Sequence, residues 1–255
     1  MKKHVFAAAA LAALTAWSEP AAAAGEAPTP PPVEWSFNGL FGTFHRAQLQ
    51  RGYQVYVEVC HACHSMNFMA FRNLEQIGFT PDQIAVLAGE FEVQDGPNDE
   101  GDMFMRAAKA SDHMPSPFPN EQAARFANNG AYPPDQSLIV EARKGGADYI
   151  HALLVGYRDE PPADIQLSEG MHYNEYFPGH QIAMAPPLSD GRVEYKDGTA
   201  ATLDQQAKDV TAFLAWVAEP NLEARKRMGV SVMLFLIVFT ALLYAVKRHI
   251  WTDVH

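Results

Sequence analysis

The stretch "YVEVCHACHSMNF", residues 56–68, contains the only two cysteines of the 255-residue chain. They form the pattern C-x-x-C-H, in which Cys60 and Cys63 are followed directly by His64. This spacing is the attachment signature of a c-type haem: two thiols reach the two vinyl groups of one porphyrin, and the adjacent imidazole binds the iron. The motif therefore predicts one covalent haem c with His64 as its proximal ligand.

Other uses of a cysteine pair fit this sequence less well. A thiol-redox pair needs a thioredoxin-like βαβ context, and the sequence pattern does not show one. A zinc site needs a second cysteine pair or suitably spaced histidines. A disulfide across two residues would be strained. Two unmodified cysteines in the core are the plainest alternative to a haem.

The sixth position of a haem iron decides between electron transfer, gas binding and peroxide chemistry. Met184 is the favoured ligand because it stands in "GHQIAMAPPLSDG", where two prolines stiffen the loop. His180 is the alternative. Met66 and Met69 lie too close in sequence to His64 to reach the opposite face easily. The remaining candidates are expected in polar loops: Met103, Met105 and Met114.

Both ends of the chain carry membrane signals. A basic start, the apolar run Val5–Trp17 and the alanines before Gly25 predict a secretory signal peptide at residues 1–24. The uncharged run Met228–Val246 is long enough to cross a bilayer at about 1.5 Å per residue. It predicts an anchor helix at residues 227–247. Basic residues flank both ends of this run, so the positive-inside rule does not decide its orientation.

The signal peptide decides the orientation instead. It places one haem domain, residues 25–226, outside the cytoplasmic membrane and a short tail, residues 248–255, inside it. A short signal without an arginine-rich presequence indicates a bacterial chain. The sequence therefore predicts a periplasmic haem domain held on the inner membrane by a single-pass anchor.

Charge restricts the partners. The formal net charge of −11 argues against a nucleic-acid partner, which requires a basic surface. Six acidic residues and no basic residue occur in "EFEVQDGPNDEGD", residues 90–102. Such a cluster is either a solvated loop or a docking surface for a basic protein.

The haem domain is predicted to be mainly α, with long loops. Helical spacing predicts helices at His45–Val59, Ser137–Arg143 and Ala147–Val155. Capping boxes at residues 80–83 (TPDQ) and 202–205 (TLDQ) predict two further helix starts. Strand-like alternation is scarce. Many loops around short helices are typical of a core that includes a large, flat, apolar cofactor.

Five blocks of sequence, taken in order, resemble the cytochrome c1 family, the haem-bearing subunits of the cytochrome bc1 complex. These blocks are "RGYQVYVEVCHACHSM", "FPNEQAARFANNGAYPPDQSLI", "EGMHYNEYFPGHQIAMAPPL", "DGTAATLDQQAKDVTAFLAWVAEP" and "RKRMG" before one span. The resemblance extends from about Phe41 to Trp251. It implies a class I-like cytochrome c domain with long loops around one covalent haem, plus one C-terminal transmembrane helix.

The resemblance also implies residue roles. Cys60 and Cys63 match the thioether cysteines, and His64 and Met184 match the axial pair on the iron. Arg125 matches an arginine that contacts a haem propionate; a surface ion pair is its plainer interpretation. A loop packed along the haem is expected to contain Asn128, Tyr132, Pro133 and Pro134.

The implied function is electron transfer within ubiquinol–cytochrome c oxidoreductase. The haem c is expected to take an electron from the Rieske iron–sulfur protein and to pass it to a cytochrome c of the respiratory or photosynthetic chain. Implied partners are cytochrome b and the Rieske subunit in a dimeric complex, and quinol oxidation takes place in other subunits. The alternatives are a membrane-anchored shuttle cytochrome c and a haem sensor or peroxidase with an open sixth position.

Overall fold

The computed structural model describes residues 28–163 and 165–252, so the predicted signal peptide lies outside the described residues. The α-helices of this part of the chain are α1 Arg46–Val55, α2 Pro81–Gly89, α3 Glu121–Ala127, α4 Gly146–Val155, α5 Leu203–Ala218 and α6 Leu222–Ile250, and a 3-10 helix spans Phe71–Ile77. Its strands form antiparallel pairs: β1 Glu92–Asp95 with β2 Phe104–Ala107, and β3 His172–Tyr173 with β4 Gln181–Ile182. The prediction of a mainly α fold is confirmed.

The helix that leads into the cysteine motif is confirmed. After Val55, α1 continues as a wider π-helical turn, Tyr56–Cys60, so the helical path runs directly to the first cysteine. Leu49, Tyr53 and Tyr56 anchor this path in the core. Single π-helical turns often occur at functional sites. The sequence predicted the helix but not its change of pitch.

Helix α1 crosses α5 at very short range. A Cβ atom on Gly52 would lie 2.1 Å from the carbonyl oxygen of Asp209 and 2.6 Å from the Cβ of Phe213. The Tyr53 ring meets the Phe213 ring edge to face at 5.7 Å. Beside them, the Arg51 guanidinium donates to the buried carboxylate of Asp209 at 2.8 Å. This crossing holds the helix that ends in the cysteine motif.

The predicted capping boxes have different outcomes. At α2 the box is complete, because the Thr80 hydroxyl accepts from the Gln83 amide and the Gln83 side chain accepts from the Thr80 amide. At α5 the Thr202 hydroxyl accepts from the Gln205 amide at 3.2 Å. The Gln205 side chain instead donates to Asp209, so only half of the second box forms. The helix predicted at Ala147–Val155 is confirmed as α4.

The helix predicted at Ser137–Arg143 is wrong, because this segment forms turns. Its first polar groups bond to other parts of the chain. The Ser137 amide donates to the Asp135 carboxylate, and the Ser137 hydroxyl accepts from the Phe68 amide. These bonds tie the segment to the residues after the cysteine motif and compete with a regular helix.

The methionines are placed partly as predicted. Met103 and Met105 are more than half exposed, at 53% and 57%, in or next to β2. Met114 was expected in a polar loop, and this prediction is wrong because its side chain is buried in the core. Its amide donates to the Met69 carbonyl at 3.0 Å, which draws the residue inward.

The predicted C-terminal anchor forms the long helix α6. Its residues 231–250 are all exposed. Among the described residues, α6 is the one helix long and apolar enough to cross a membrane. The helix starts at Leu222, after three residues that separate it from α5, and Leu222 itself is buried in the core.

Candidate haem site

The cysteine motif folds as a tight turn at the end of the π-helical segment. The Cys63 and His64 amides donate to the Cys60 carbonyl at 3.1 and 2.9 Å. The hydroxyl of the buried Tyr56 donates to the His64 carbonyl at 2.9 Å. These bonds fix the backbone of the three motif positions that are predicted to bind the haem.

The His64 ring is held by a second segment of the chain. Its Nδ1 lies 2.8 Å from the carbonyl oxygen of Pro134. A carbonyl only accepts hydrogen bonds, so Nδ1 carries the hydrogen and Nε2 keeps a free lone pair. Burial lowers the pKa of His64, which favours this neutral form. A neutral imidazole held by its other nitrogen is what an iron ligand requires, so the residue fits the predicted haem.

Asp135 links the segment that contains Pro134 to the cysteine motif through hydrogen bonds. Its carboxylate accepts from the Ser65 hydroxyl at 2.7 Å, from the Asn67 amide at 2.9 Å and from the Ser137 amide at 2.8 Å. Burial alone would raise the pKa of Asp135, but these hydrogen bonds outweigh it and hold the pKa below its ordinary value. Asp135 could not be predicted from the sequence, because only the fold brings it next to the motif.

Both cysteines are half-buried, and they form no disulfide with each other. Burial, and then the neighbouring Cys63, raise the pKa of the Cys60 thiol to about 12. A thiol that stays protonated at neutral pH is a poor redox nucleophile, which argues against thiol-disulfide chemistry. Within the described part of the chain, no group of three or more His, Cys, Asp or Glu is placed to hold a metal ion, so nothing there supports the zinc alternative.

The backbone of the loop that contains Met184 is held by a hydrogen bond from another segment of the chain. The Tyr157 hydroxyl donates to the Met184 carbonyl at 3.0 Å. Burial raises the pKa of Tyr157, so the hydroxyl keeps the hydrogen that it donates. Ile182 and Leu188 are buried on either side of the loop, while Met184 itself is only half-buried. A fixed backbone with a side chain outside the core fits the role of an axial ligand.

His180, the alternative ligand, has contacts of its own. Its backbone takes a positive φ of 60°, a conformation that costs energy for a residue other than glycine. Its ring stacks on Tyr173 at 5.8 Å, and its Nδ1 lies 3.2 Å from the carbonyl oxygen of Asn174. The ring is therefore engaged within its own loop.

Arg125 and Tyr132 come together, as expected for one site. The Arg125 guanidinium lies 5.4 Å from the centre of the Tyr132 ring and donates to the Gly130 carbonyl at 2.9 Å. It also pairs with Glu121 at 2.7 Å, and its side chain is 47% exposed. The Asn128 side chain donates to the Ala124 carbonyl, which closes α3 before this loop. The propionate contact of Arg125 stays a prediction, and the surface ion pair is present.

Comparison with known proteins shows which family the chain resembles. The model of the Cytochrome C1 family matches residues 35–254. Cytochrome c1 of Rhodospirillum rubrum is 50% identical over 236 residues, which are 87% of this chain and 87% of that protein. The mitochondrial heme protein cytochrome c1 of Saccharomyces cerevisiae is 52% identical over 224 residues, 88% of this chain and 72% of that protein.

A longer relative shows the same likeness. Cytochrome b/c1 of Bradyrhizobium diazoefficiens is 49% identical over 247 residues. The match covers 89% of this chain but only 36% of that protein. Since the family model and both shorter relatives match over most of their length, the chain belongs to the cytochrome c1 family, the haem-carrying electron-transfer subunits of bc1 complexes.

Proposed function

We propose that this chain binds one haem c covalently and uses it to carry electrons from the Rieske iron–sulfur protein to a cytochrome c. The observation that carries the proposal is the His64–Pro134 hydrogen bond, because it leaves Nε2 of the motif histidine free as a ligand. When bound, a haem c supplies an iron centre that changes its charge by one electron.

Each residue has a distinct task in this proposal. Cys60 and Cys63 hold the macrocycle through thioether bonds, and His64 and Met184 are the axial ligands. A thioether ligand raises the reduction potential, which suits a carrier that accepts electrons from an iron–sulfur donor. Arg125 is exposed enough to neutralise a propionate with a charge-assisted hydrogen bond.

The proposed partners follow from family membership. Cytochrome b and the Rieske subunit are the neighbours within a dimeric complex, and a soluble or tethered cytochrome c is the acceptor. Ubiquinol oxidation takes place in other subunits, so this chain contributes a redox centre and no bond-forming residues. The exposed face of the haem domain then has to serve two electron partners in turn.

The proposed location is the bacterial inner membrane, with the haem domain in the periplasm and α6 as the single-pass anchor. The length of α6 and the exposure of its residues 231–250 support a span, and the predicted signal peptide supports the orientation. Fusion of a reporter that works only in the cytoplasm tests this. We expect it to be active after His255 and inactive near Gly25; the opposite pattern would reverse the orientation.

Purification of the native complex through a tag on this chain tests the function. We expect the haem to remain on this chain in a denaturing gel and to be reduced by ubiquinol only when the Rieske subunit is present. A chain that purifies alone and is reduced without the Rieske subunit would instead be a shuttle cytochrome. Carbon monoxide binding to the reduced wild-type protein would favour a sensor or peroxidase, since those need an open sixth position.

A further inference from the structure

A short apolar loop projects from the haem domain beside the start of α6. This loop, "NGLFG" at residues 38–42, exposes 62% of Leu40 and 78% of Phe41. The aromatic residues on either side of it are buried: the Trp35 ring stacks on Phe37 with ring centres 5.4 Å apart, and the Phe37 ring packs at a tilt against Phe44 at 4.9 Å. The base of the loop therefore belongs to the core, whereas its equally apolar tip lies outside it.

Two residues of α6 hold the base of this loop. The Lys226 ammonium donates to the carbonyl oxygens of Phe37 and Gly42, so the chain closes around it. The Glu223 carboxylate, one turn earlier in α6, accepts from the Phe44 amide at 2.8 Å. The loop is thus fixed to the helix at two successive levels.

These two levels locate the loop along α6. Glu223 and Lys226 are three residues apart, about 4.5 Å along the helix axis. Phe44 is bound at Glu223, whereas the two ends of the loop, Phe37 and Gly42, are bound at Lys226, so the loop is attached at the level nearer to the uncharged run of α6. That run begins at Met228, only two residues beyond Lys226. A tip that extends from this level toward Met228 would reach the height at which that run begins.

We propose that the 38–42 loop is a second membrane contact, with Leu40 and Phe41 inserted into the interfacial layer of the bilayer where α6 enters it. The inference rests on the proposed membrane span of α6. Large apolar side chains next to basic residues are typical of segments that lie in the lipid interface, and the basic residues here are Arg225, Lys226 and Arg227.

The second contact has a mechanical consequence. A domain attached by one helix can pivot about the point where the helix enters the membrane. A loop anchored to that helix and inserted beside it adds a second point of support, which restricts the tilt of the haem domain relative to the membrane. Both electron partners would then meet the haem at a constant height above the lipid.

Spin labelling of the full-length haem protein tests the proposal. Haem attachment consumes Cys60 and Cys63, so a cysteine introduced elsewhere is the single free thiol for the label. We would compare Phe41→Cys with Phe126→Cys, where the native ring is 92% exposed, and with Phe239→Cys in the apolar run of α6. The chain is placed in nanodiscs of phosphatidylcholine and phosphatidylglycerol.

Collision rates with oxygen, which concentrates in lipid, and with a charged nickel chelate, which stays in water, report the environment of each label. We expect the oxygen-to-nickel ratio at position 41 to be at least about five-fold higher than at position 126, and to approach that at 239. The haem spectrum of each variant confirms that it is folded.

Three results would overturn the proposal. If the label at 239 lies in lipid but the label at 41 is as accessible to the nickel chelate as the label at 126, the loop contact is rejected and the span is kept. If the label at 239 is accessible to the nickel chelate in water, the span and the loop contact are both rejected. The label at 41 could also be accessible to the nickel chelate in nanodiscs but shielded from both reagents in the purified complex. That result would show that a protein subunit, and not lipid, covers the loop.

Discussion

A methyl group on Gly52 would lie 2.1 Å from the carbonyl oxygen of Asp209, so α1 and α5 cross with their backbones in contact. We predict that Gly52→Ala forces the two helices apart. Overpacking of a tight core typically costs about 1–3 kcal/mol, and rigid backbone on the opposite side places this case at or above the upper end. Denaturant unfolding of the detergent-solubilised haem protein, followed by circular dichroism, measures the loss.

Gly89→Ala is the matched control for that variant. Gly89 also lies in a helix, at the end of α2, but no atom outside its immediate neighbours lies within 4 Å of a Cβ placed there. We expect the control to be neutral or more stable by up to about 1 kcal/mol, because alanine restricts the unfolded chain. Equal destabilisation by both variants would contradict the crossing argument.

The ion pair beside this crossing gives a second prediction. The Asp209 side chain is fully buried and accepts from Arg51 at 2.8 and 3.2 Å. Arg51→Ala leaves that carboxylate buried with its charge partner removed, and we expect a loss of about 3–5 kcal/mol in the free energy of unfolding. Arg158→Ala breaks an exposed pair with Glu175 and should cost less than about 1 kcal/mol. Similar losses of unfolding free energy in the two variants would show that other groups stabilise the buried Asp209 carboxylate when Arg51 is removed.

The third prediction concerns acid. The Asp112 carboxylate accepts from Arg106 at 2.6 and 3.2 Å and from the Lys109 amide at 2.8 Å. The bond to Arg106, followed by that to Lys109, lowers the pKa of Asp112 from 3.8 to about 2. Because the folded pKa is depressed, this contribution to stability is complete above about pH 4 and is lost as the pH falls toward 2.

Asp112→Asn measures that contribution. At pH 6 we expect a lower melting temperature than for the unmodified protein, since the amide loses the charge-assisted bonds to Arg106. The difference should shrink as the pH is lowered toward 2, because protonation removes the same charge from Asp112. A difference that stays constant between pH 6 and pH 2 would show that the pair contributes little.

Local signals allowed much of the fold to be predicted. The capping box at Thr80 involves residues three apart, so the sequence alone was enough to predict it, and the structure contains it. The same holds for α4 and for the uncharged run of α6, where periodicity or length suffices. The helix predicted at Ser137–Arg143 failed because Ser137 bonds to Asp135 and to Phe68, and Phe68 is 69 residues away in the chain.

The features of the candidate site also fall into those that the sequence predicts and those that only the fold shows. The motif predicts roles for Cys60, Cys63 and His64 because its spacing is fixed by the chemistry of one porphyrin. The partner of His64 is a backbone carbonyl, that of Pro134, 70 residues away, and any residue type could supply it. The bond from Tyr157 to the Met184 carbonyl is equally independent of the acceptor's side chain. Bonds to distant backbone atoms leave no signature in a single sequence.

Met184→Leu tests the axial ligand. We expect the haem to stay attached through its cysteines, and the reduction potential to fall by on the order of 100 mV or more, because a thioether favours ferrous iron. The reduced variant should also bind carbon monoxide at the opened position. Potentiometric titration and absorption spectra provide both measurements.

Met105→Leu is the control for the ligand test, since Met105 is exposed on β2 and should change neither property. If Met184→Leu leaves the potential unchanged and the reduced protein does not bind carbon monoxide, the ligand is another residue. His180 would then be the first candidate. A potential that falls equally in both variants would indicate a general effect of losing a methionine.

The acidic segment of residues 90–102 spans β1 and the turn after it. Within it, Asp95 is paired with Arg106, so part of its charge is neutralised by the hairpin itself. Asp99, Glu100 and Asp102 lie exposed in the turn between the strands. At roughly 0.15 M salt the screening length is about 8 Å, so only acids near a docked partner affect its approach.

We predict that changing Asp99, Glu100 and Asp102 together to their amides slows electron transfer to a basic cytochrome c by roughly 3- to 10-fold at low salt, because clustered charge steers an oppositely charged protein. The reduction potential should not change. Stopped-flow measurements over a salt series should show the difference disappearing as salt rises. The control removes the same charge from other exposed positions, Asp159, Glu160 and Glu169. Equal slowing by both triple variants would assign the effect to net charge rather than to docking at the hairpin.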